Sequence, residues 1–145
     1  MDSTTRREIG SVFLVAAAAG LLSPAILMPL AFVVGMALMM LGGGDMIGLL
    51  VTVTAAIFGP AVVAAVAALV VLRGIRRAGT PLRVLVVLIV LVAFGAPQFG
   101  LAGLRLDEIG PGIDSWWVLV LGCPISGAFV TAVIGLIVRA TARRT

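Results

Sequence analysis

The chain contains no histidine, lysine, tyrosine or asparagine, and its only carboxamide is Gln98. Without imidazole, the usual axial haem ligation, histidine zinc sites and imidazole proton relays have no ligand to use, so neither cofactor nor metal is expected. Cysteine is limited to Cys123, which excludes an intramolecular disulfide, a CxxC pair and a thiolate metal cluster. It stands in an apolar run, where a thiolate is disfavoured, and reads as a small buried residue. Charge is scarce as well: 11% of the 145 residues are charged and 62% are hydrophobic, whereas about a quarter are charged in soluble domains. With a mean hydropathy of +1.30, this is the composition of an integral membrane protein.

All ten basic residues are arginine. Together with the abundance of Ala, Val and Gly, that usage reads as a high-GC bacterial genome and points to the bacterial inner membrane. A pI near 11.4 would suggest nucleic acid for a soluble protein. Here the arginines flank hydrophobic segments, where they orient helices and meet anionic headgroups, so no nucleic-acid partner is expected.

Four apolar segments are marked off by charge, at about residues 9–41, 46–72, 84–104 and 116–138. Each reaches the roughly 20 residues that cross about 30 Å of hydrocarbon. The expected fold is all-α: one polytopic domain over residues 1–145, its four transmembrane helices forming a bundle. The 33 residues from Ile9 to Leu41 would reach about 50 Å as a helix, so this segment must tilt, protrude or bend. "SPAILMP", with Pro24 and Pro29, supplies the bend. The basic, then apolar, N-terminal stretch resembles a signal peptide, but apolar sequence continues past Ala19 without a polar break, and it reads as an uncleaved anchor.

Arginine placement sets the orientation. Arg6 and Arg7 precede the first span, Arg73, Arg76, Arg77 and Arg83 lie between the second and third, and Arg139, Arg143 and Arg144 follow the fourth. Nine arginines thus share one side, against Arg105 on the other. The positive-inside rule places both termini and the central connection in the cytoplasm, and so large a bias argues against insertion in both directions. Arg73, Arg76, Arg77 and Arg83 form the most charged element, a candidate contact for anionic lipid or for a partner.

Every span carries proline: Pro24 and Pro29, Pro60, Pro97, and Pro124. Each removes one donor and frees the carbonyl four residues earlier, those of Gly20, Ala25, Ala56, Ala93 and Val120, which then need partners from neighbouring helices or water. Gln98, beside Pro97, is the candidate to bridge helices; lining a pore is its alternative role. Thr52, Thr54, Ser126 and Thr131 are expected to bond back to their own helices.

Small residues four apart form ridges for close helix approach: Ala31 with Gly35, Ala55 with Gly59, Ala61 with Ala65, Ala96 with Gly100, and Gly127 with Thr131 and Gly135. They serve a compact bundle, a homo-oligomer or docking to a larger complex. "GPAVVAAVAALVVLRGIRR" and "CPISGAFVTAVIGLIVRATARR" share a proline, an apolar run and an arginine cluster, the pattern of a parallel repeat.

At the other end, "LGGGD" makes a tight turn in which Asp45 can cap the second helix. "RLDEIGPGIDSWW" places Asp107, Glu108 and Asp114 in ordinary turn chemistry, with Trp116 and Trp117 as interfacial anchors. No ionisable residue lies mid-span, and no serine sits in an elbow motif, so an enzyme is not expected. The expected function is that of a small non-catalytic accessory or structural subunit, in contact with the lipid bilayer and packed with itself or a larger membrane complex. The alternative is a small oligomeric channel or transporter for a neutral or weakly polar solute.

Overall fold

In the computed structural model the described backbone covers residues 3–75, 79–105 and 113–143, with side chains described there except at 43–45, 49, 98–105, 113–120 and 143. Four helices make up almost all of it: α1 (Ser3–Leu38), α2 (Gly44–Gly74), α3 (Thr80–Arg105) and α4 (Ile113–Arg143). All four are long and apolar enough to cross a membrane. They extend past the apolar segments at the arginine-bearing end, because backbone hydrogen bonding propagates through arginine as readily as through leucine.

The prolines do not interrupt the helices. α1 runs as one 36-residue element through Pro24 and Pro29, a length of about 54 Å that exceeds a bilayer's hydrocarbon core. It ends at a kink over Met39–Gly43, where Gly42 takes the non-helical φ 86°, ψ 14°. That left-handed conformation favours glycine and reverses the chain into α2. At the other end α2 closes with Ile75 N–H donating to the Leu72 carbonyl (3.2 Å), and α3 starts with Arg83 N–H donating to Gly79 (3.1 Å).

α1 packs extensively on α2 and α4, and α3 packs on the same two, while α1 with α3 and α2 with α4 barely meet. The helices therefore alternate in direction around a square. The core fills the half that carries the termini and the α2–α3 connection, through Ile9, Val12, Phe13 and Ala16 of α1, Ala64, Ala68 and Leu72 of α2, Val86, Val90 and Phe94 of α3, and Ala128 of α4. In the opposite half α1 meets α2 along a close seam. There Gly35 and Gly48 bring the backbones so close that a Cβ on either would stand 3.2 or 3.1 Å from the other's carbonyl oxygen.

Candidate functional site

The centre of the bundle is organised by one ring. Phe94 is 0% exposed, and its side chain fills the space that two glycines leave open. A Cβ on Gly20 of α1 would fall on the ring edge, and one on Gly127 of α4 would lie 2.7 Å from Cδ1 and 3.0 Å from the Phe94 Cα. Ala64 of α2 closes the remaining side, 3.2 Å from where the Gly20 Cβ would be. All four helices meet in this layer.

The prolines stand in register with it. Pro24 follows Gly20 by four residues, Pro60 precedes Ala64 by four, Pro97 follows Phe94 by three and Pro124 precedes Gly127 by three. Since α2 and α4 run opposite to α1 and α3, each of these four prolines lies about one turn from the Phe94 layer, on the side away from the termini. Pro60 and Pro124 are themselves fully buried. Beyond this layer an apolar groove of about 450 Å³ opens between α1 and α4, lined by Leu21, Pro24, Met28, Pro29, Leu121 and Pro124. A second groove, of about 390 Å³, runs between α3 and α4 past Val92, Pro97 and Val130.

One freed carbonyl has a visible partner. Pro24 cannot donate to the Gly20 carbonyl, and Ser23 Oγ–H does so instead at 2.8 Å, with Ser23 buried. The partner comes from the same helix, whereas neighbouring helices or water were the expected source; a hydroxyl one residue before the proline reaches that carbonyl within its own turn. Thr52, Ser126 and Thr131 likewise donate to Gly48 (2.9 Å), Cys123 (3.1 Å) and Gly127 (2.7 Å) on their own helices. Among the described residues no side-chain donor reaches Ala25, Ala56 or Ala93.

These bonds differ in worth. The Gly127 carbonyl also faces the Thr131 N–H four residues on, so Thr131→Val is expected to cost no more than about 0.5 kcal/mol. Ser23→Ala removes the donor that substitutes for proline's missing one and is expected to cost about 1 kcal/mol or more. Thermal melting of the two variants in one detergent checks the order.

Of the candidate residues, Gly127, Thr131 and Gly135 are all buried inside the chain's own bundle. Gly127 receives Phe94; a Cβ on Gly135 would stand 3.0 Å from the Gly10 carbonyl oxygen of α1 and 2.9 Å from the Phe13 Cβ. Of the other ridges, Ala31, Gly35, Ala61 and Ala65 are buried, Ala55 and Gly59 half-buried, and Ala96 exposed. Gly10 has no small residue four positions away on its own helix, whereas Gly20 has Ala16 and Gly48 has Gly44 and Thr52 at that spacing; what marks all three is a partner on another helix. Gln98 lies on α3 one residue beyond Pro97, but its side chain, like those of Asp45, Gly100, Asp114, Trp116 and Trp117, is outside the described residues. Arg76, Arg77, Asp107 and Glu108 are outside them altogether.

No family model, curated protein or solved structure matches the chain.

The arginines whose side chains are described gather at the termini end. Arg7, Arg73 and Arg139 are exposed, and Arg6 is partly exposed. The Arg139 stem lies across Gly10, so its aliphatic part packs on α1 while the residue as a whole stays exposed. Arg83 turns back over the end of α2, where Nη2 donates to the Ile75 carbonyl at 3.5 Å, and its Nε is buried without a hydrogen-bond partner. A buried donor left unpaired costs about 1–3 kcal/mol.

Proposed function

We propose that the protein is a non-catalytic membrane component, held by its four helices in a bacterial plasma membrane with both termini and the α2–α3 connection cytoplasmic, and acting by packing with itself or with a larger membrane complex. The observation that carries this reading is the filled interior. Phe94 closes the bundle at the level where all four helices meet, and the layers toward the termini are occupied by Phe13, Val12, Val90 and Leu72, each no more than 2% exposed. Solute translocation needs a polar path or an intramembrane charge. Every described side chain bearing a charge lies instead at the termini end.

The outward faces supply contact area. Ile26, Phe32 and Val33 of α1 and Leu50 of α2 are more than 60% exposed, which suits lipid or the helices of a partner. Orientation is read from the nine-to-one arginine bias. In a Cys123→Ala background, Thr80→Cys is expected to resist an impermeant maleimide in intact spheroplasts while Asp107→Cys is labelled. The reverse pattern would invert the topology.

The role itself is tested by tagging the C-terminus, extracting the protein in mild detergent at native expression and identifying what accompanies it by mass spectrometry. A stoichiometric membrane partner or a defined homo-oligomer supports the proposal. Solute flux through liposomes containing only this protein would overturn it in favour of a small oligomeric channel or transporter. In that case Gln98→Leu would abolish flux without unfolding the chain if Gln98 lines the path.

A further inference from the structure

The least satisfied polar group among the described residues is the guanidinium of Arg83. Arginine presents five N–H donors in a planar fork and no acceptor. Here one donor meets the Ile75 carbonyl at 3.5 Å, the outer limit of a hydrogen bond, and Nε meets nothing. No described carboxylate pairs with it. With Nε itself buried, the two terminal Nη nitrogens are the part of the fork that can meet a planar or tetrahedral oxyanion, which can accept two short charge-assisted bonds where the carbonyl accepts one long one.

The surroundings say which oxyanion. Arg83 stands in the first turn of α3 and reaches over the end of α2, at the junction where two apolar spans end, Met46–Gly74 and Thr80–Pro97. Arg73, exposed in the last turn of α2 and without an ion pair to any described residue, lies two residues before the Ile75 carbonyl that Arg83 contacts. Two cations in the terminal turns of a pair of membrane-crossing helices sit near the depth of lipid phosphates, where each basic side chain adds attraction for an anionic surface. Leu82, Val84 and Leu85 flank Arg83, and Val84 and Leu85 are each 53% exposed, offering acyl chains a surface beside the headgroup.

We infer that Arg83 and Arg73 form a phosphate-binding site for an anionic phospholipid at the α2–α3 connection. The Arg83 fork grips the phosphodiester, and Arg73 contributes charge. An acidic protein segment is the less favoured occupant, because the site borders lipid-facing side chains of α3. The inference rests on membrane embedding alone and stands whether the protein proves to be an accessory subunit or a channel.

The test uses the full-length protein delipidated in a neutral detergent. Its melting temperature is followed on adding phosphatidylglycerol, phosphatidylcholine or inorganic phosphate. Phosphatidylglycerol is expected to raise it, phosphatidylcholine to leave it nearly unchanged, and inorganic phosphate at millimolar concentration to do little. Arg83→Gln is expected to weaken the phosphatidylglycerol response at least about tenfold in half-saturating concentration. Arg83→Lys, which keeps the charge and loses the fork, should recover only part of it. If Arg83→Gln fails to fold, the lysine variant alone decides: full recovery makes the contact a matter of charge and overturns the gripped-phosphate geometry. Equal stabilisation by phosphatidylcholine, or an undiminished response in both Arg83 variants, overturns the site. Saturable stabilisation by inorganic phosphate alone would make it a site for the free anion and overturn the lipid assignment.

Discussion

Alanine in place of Gly20 is expected to destabilise the protein, although alanine is the better helix former by about 0.8–1.0 kcal/mol. The added Cβ would fall on the edge of the Phe94 ring and lie 3.2 Å from the Ala64 Cβ. The ring cannot swing aside. On its other face Gly127 leaves room for hydrogen and nothing larger, since a Cβ there would lie 2.7 Å from Cδ1. Overpacking a closed site costs about 1–3 kcal/mol, and here the lower bound already matches the propensity gain, so the clash decides the sign.

The same geometry predicts a rescue. Phe94→Leu shortens the side chain at the point of collision, so the Gly20→Ala, Phe94→Leu double variant should be more stable than the two single losses would add up to, by about 1 kcal/mol or more. At Gly127 the rescue should be incomplete. Part of that clash is with the Phe94 Cα at 3.0 Å, and backbone does not withdraw when a side chain is trimmed. Leucine at Gly127 should leave little folded protein. Melting by circular dichroism, paired with size-exclusion profiles, reads all of these. Strictly additive losses for Gly20 and Phe94 would mean that the ring does not occupy the gap between α1 and α4.

Leucine in place of Gly48 should act differently, opening one half of the molecule and sparing the other. Gly48 meets Gly35 where α1 and α2 touch beyond the proline layer, and a Cβ there would stand 3.1 Å from the Gly35 carbonyl oxygen and 2.5 Å from the Met39 Cε. The methionine end can move, but the backbone oxygen cannot without shifting a helix. Ala31, one turn away on the same seam, is 6% exposed, and Cys123, beyond the Phe94 layer on α4, is 4% exposed.

An Ala31→Cys probe should therefore react about tenfold faster with a membrane-permeant maleimide in the Gly48→Leu background, while Cys123 stays protected. Peptide mapping separates the two thiols. The reason for the asymmetry is that the core of Phe13, Leu72, Val90 and Ala128 ties four helices together on the termini side, whereas the Gly35–Gly48 contact joins α1 and α2 alone. Parallel exposure of both thiols would show that the two halves open as one cooperative unit.

Both predictions turn on positions that ridge spacing does not single out. Small-xxx-small spacing finds Gly127, Thr131 and Gly135, since those residues stand four apart on one helix. Gly10 has no such neighbour, and Gly20 with Ala16 and Gly48 with Gly44 share that spacing with many other pairs in an Ala/Gly-rich chain; the close approach that each permits depends on a residue on a different helix. Phe94 is one of six phenylalanines in an apolar chain, and its neighbours at three and four residues do not distinguish it from Phe58 or Phe129, which are 50% and 70% exposed. The proline register is written in the chain, yet it acquires meaning only once Gly20, Ala64, Phe94 and Gly127 are known to share a layer.

What the amino-acid sequence determined by itself is the helical class, the four segments able to cross a membrane, and the concentration of arginine at one end. Those properties follow from local, additive quantities: the transfer free energy of about 20 consecutive side chains and the charges that flank them. What only the tertiary structure decided is which glycines are contacts, which ring closes the bundle, and that Arg83 turns back onto the end of α2. In a lipid-like environment every apolar side chain is equally at home facing in or out, so hydropathy does not choose the inward face. That choice is made by van der Waals fit between backbones from distant parts of the chain, and fit is a property of pairs.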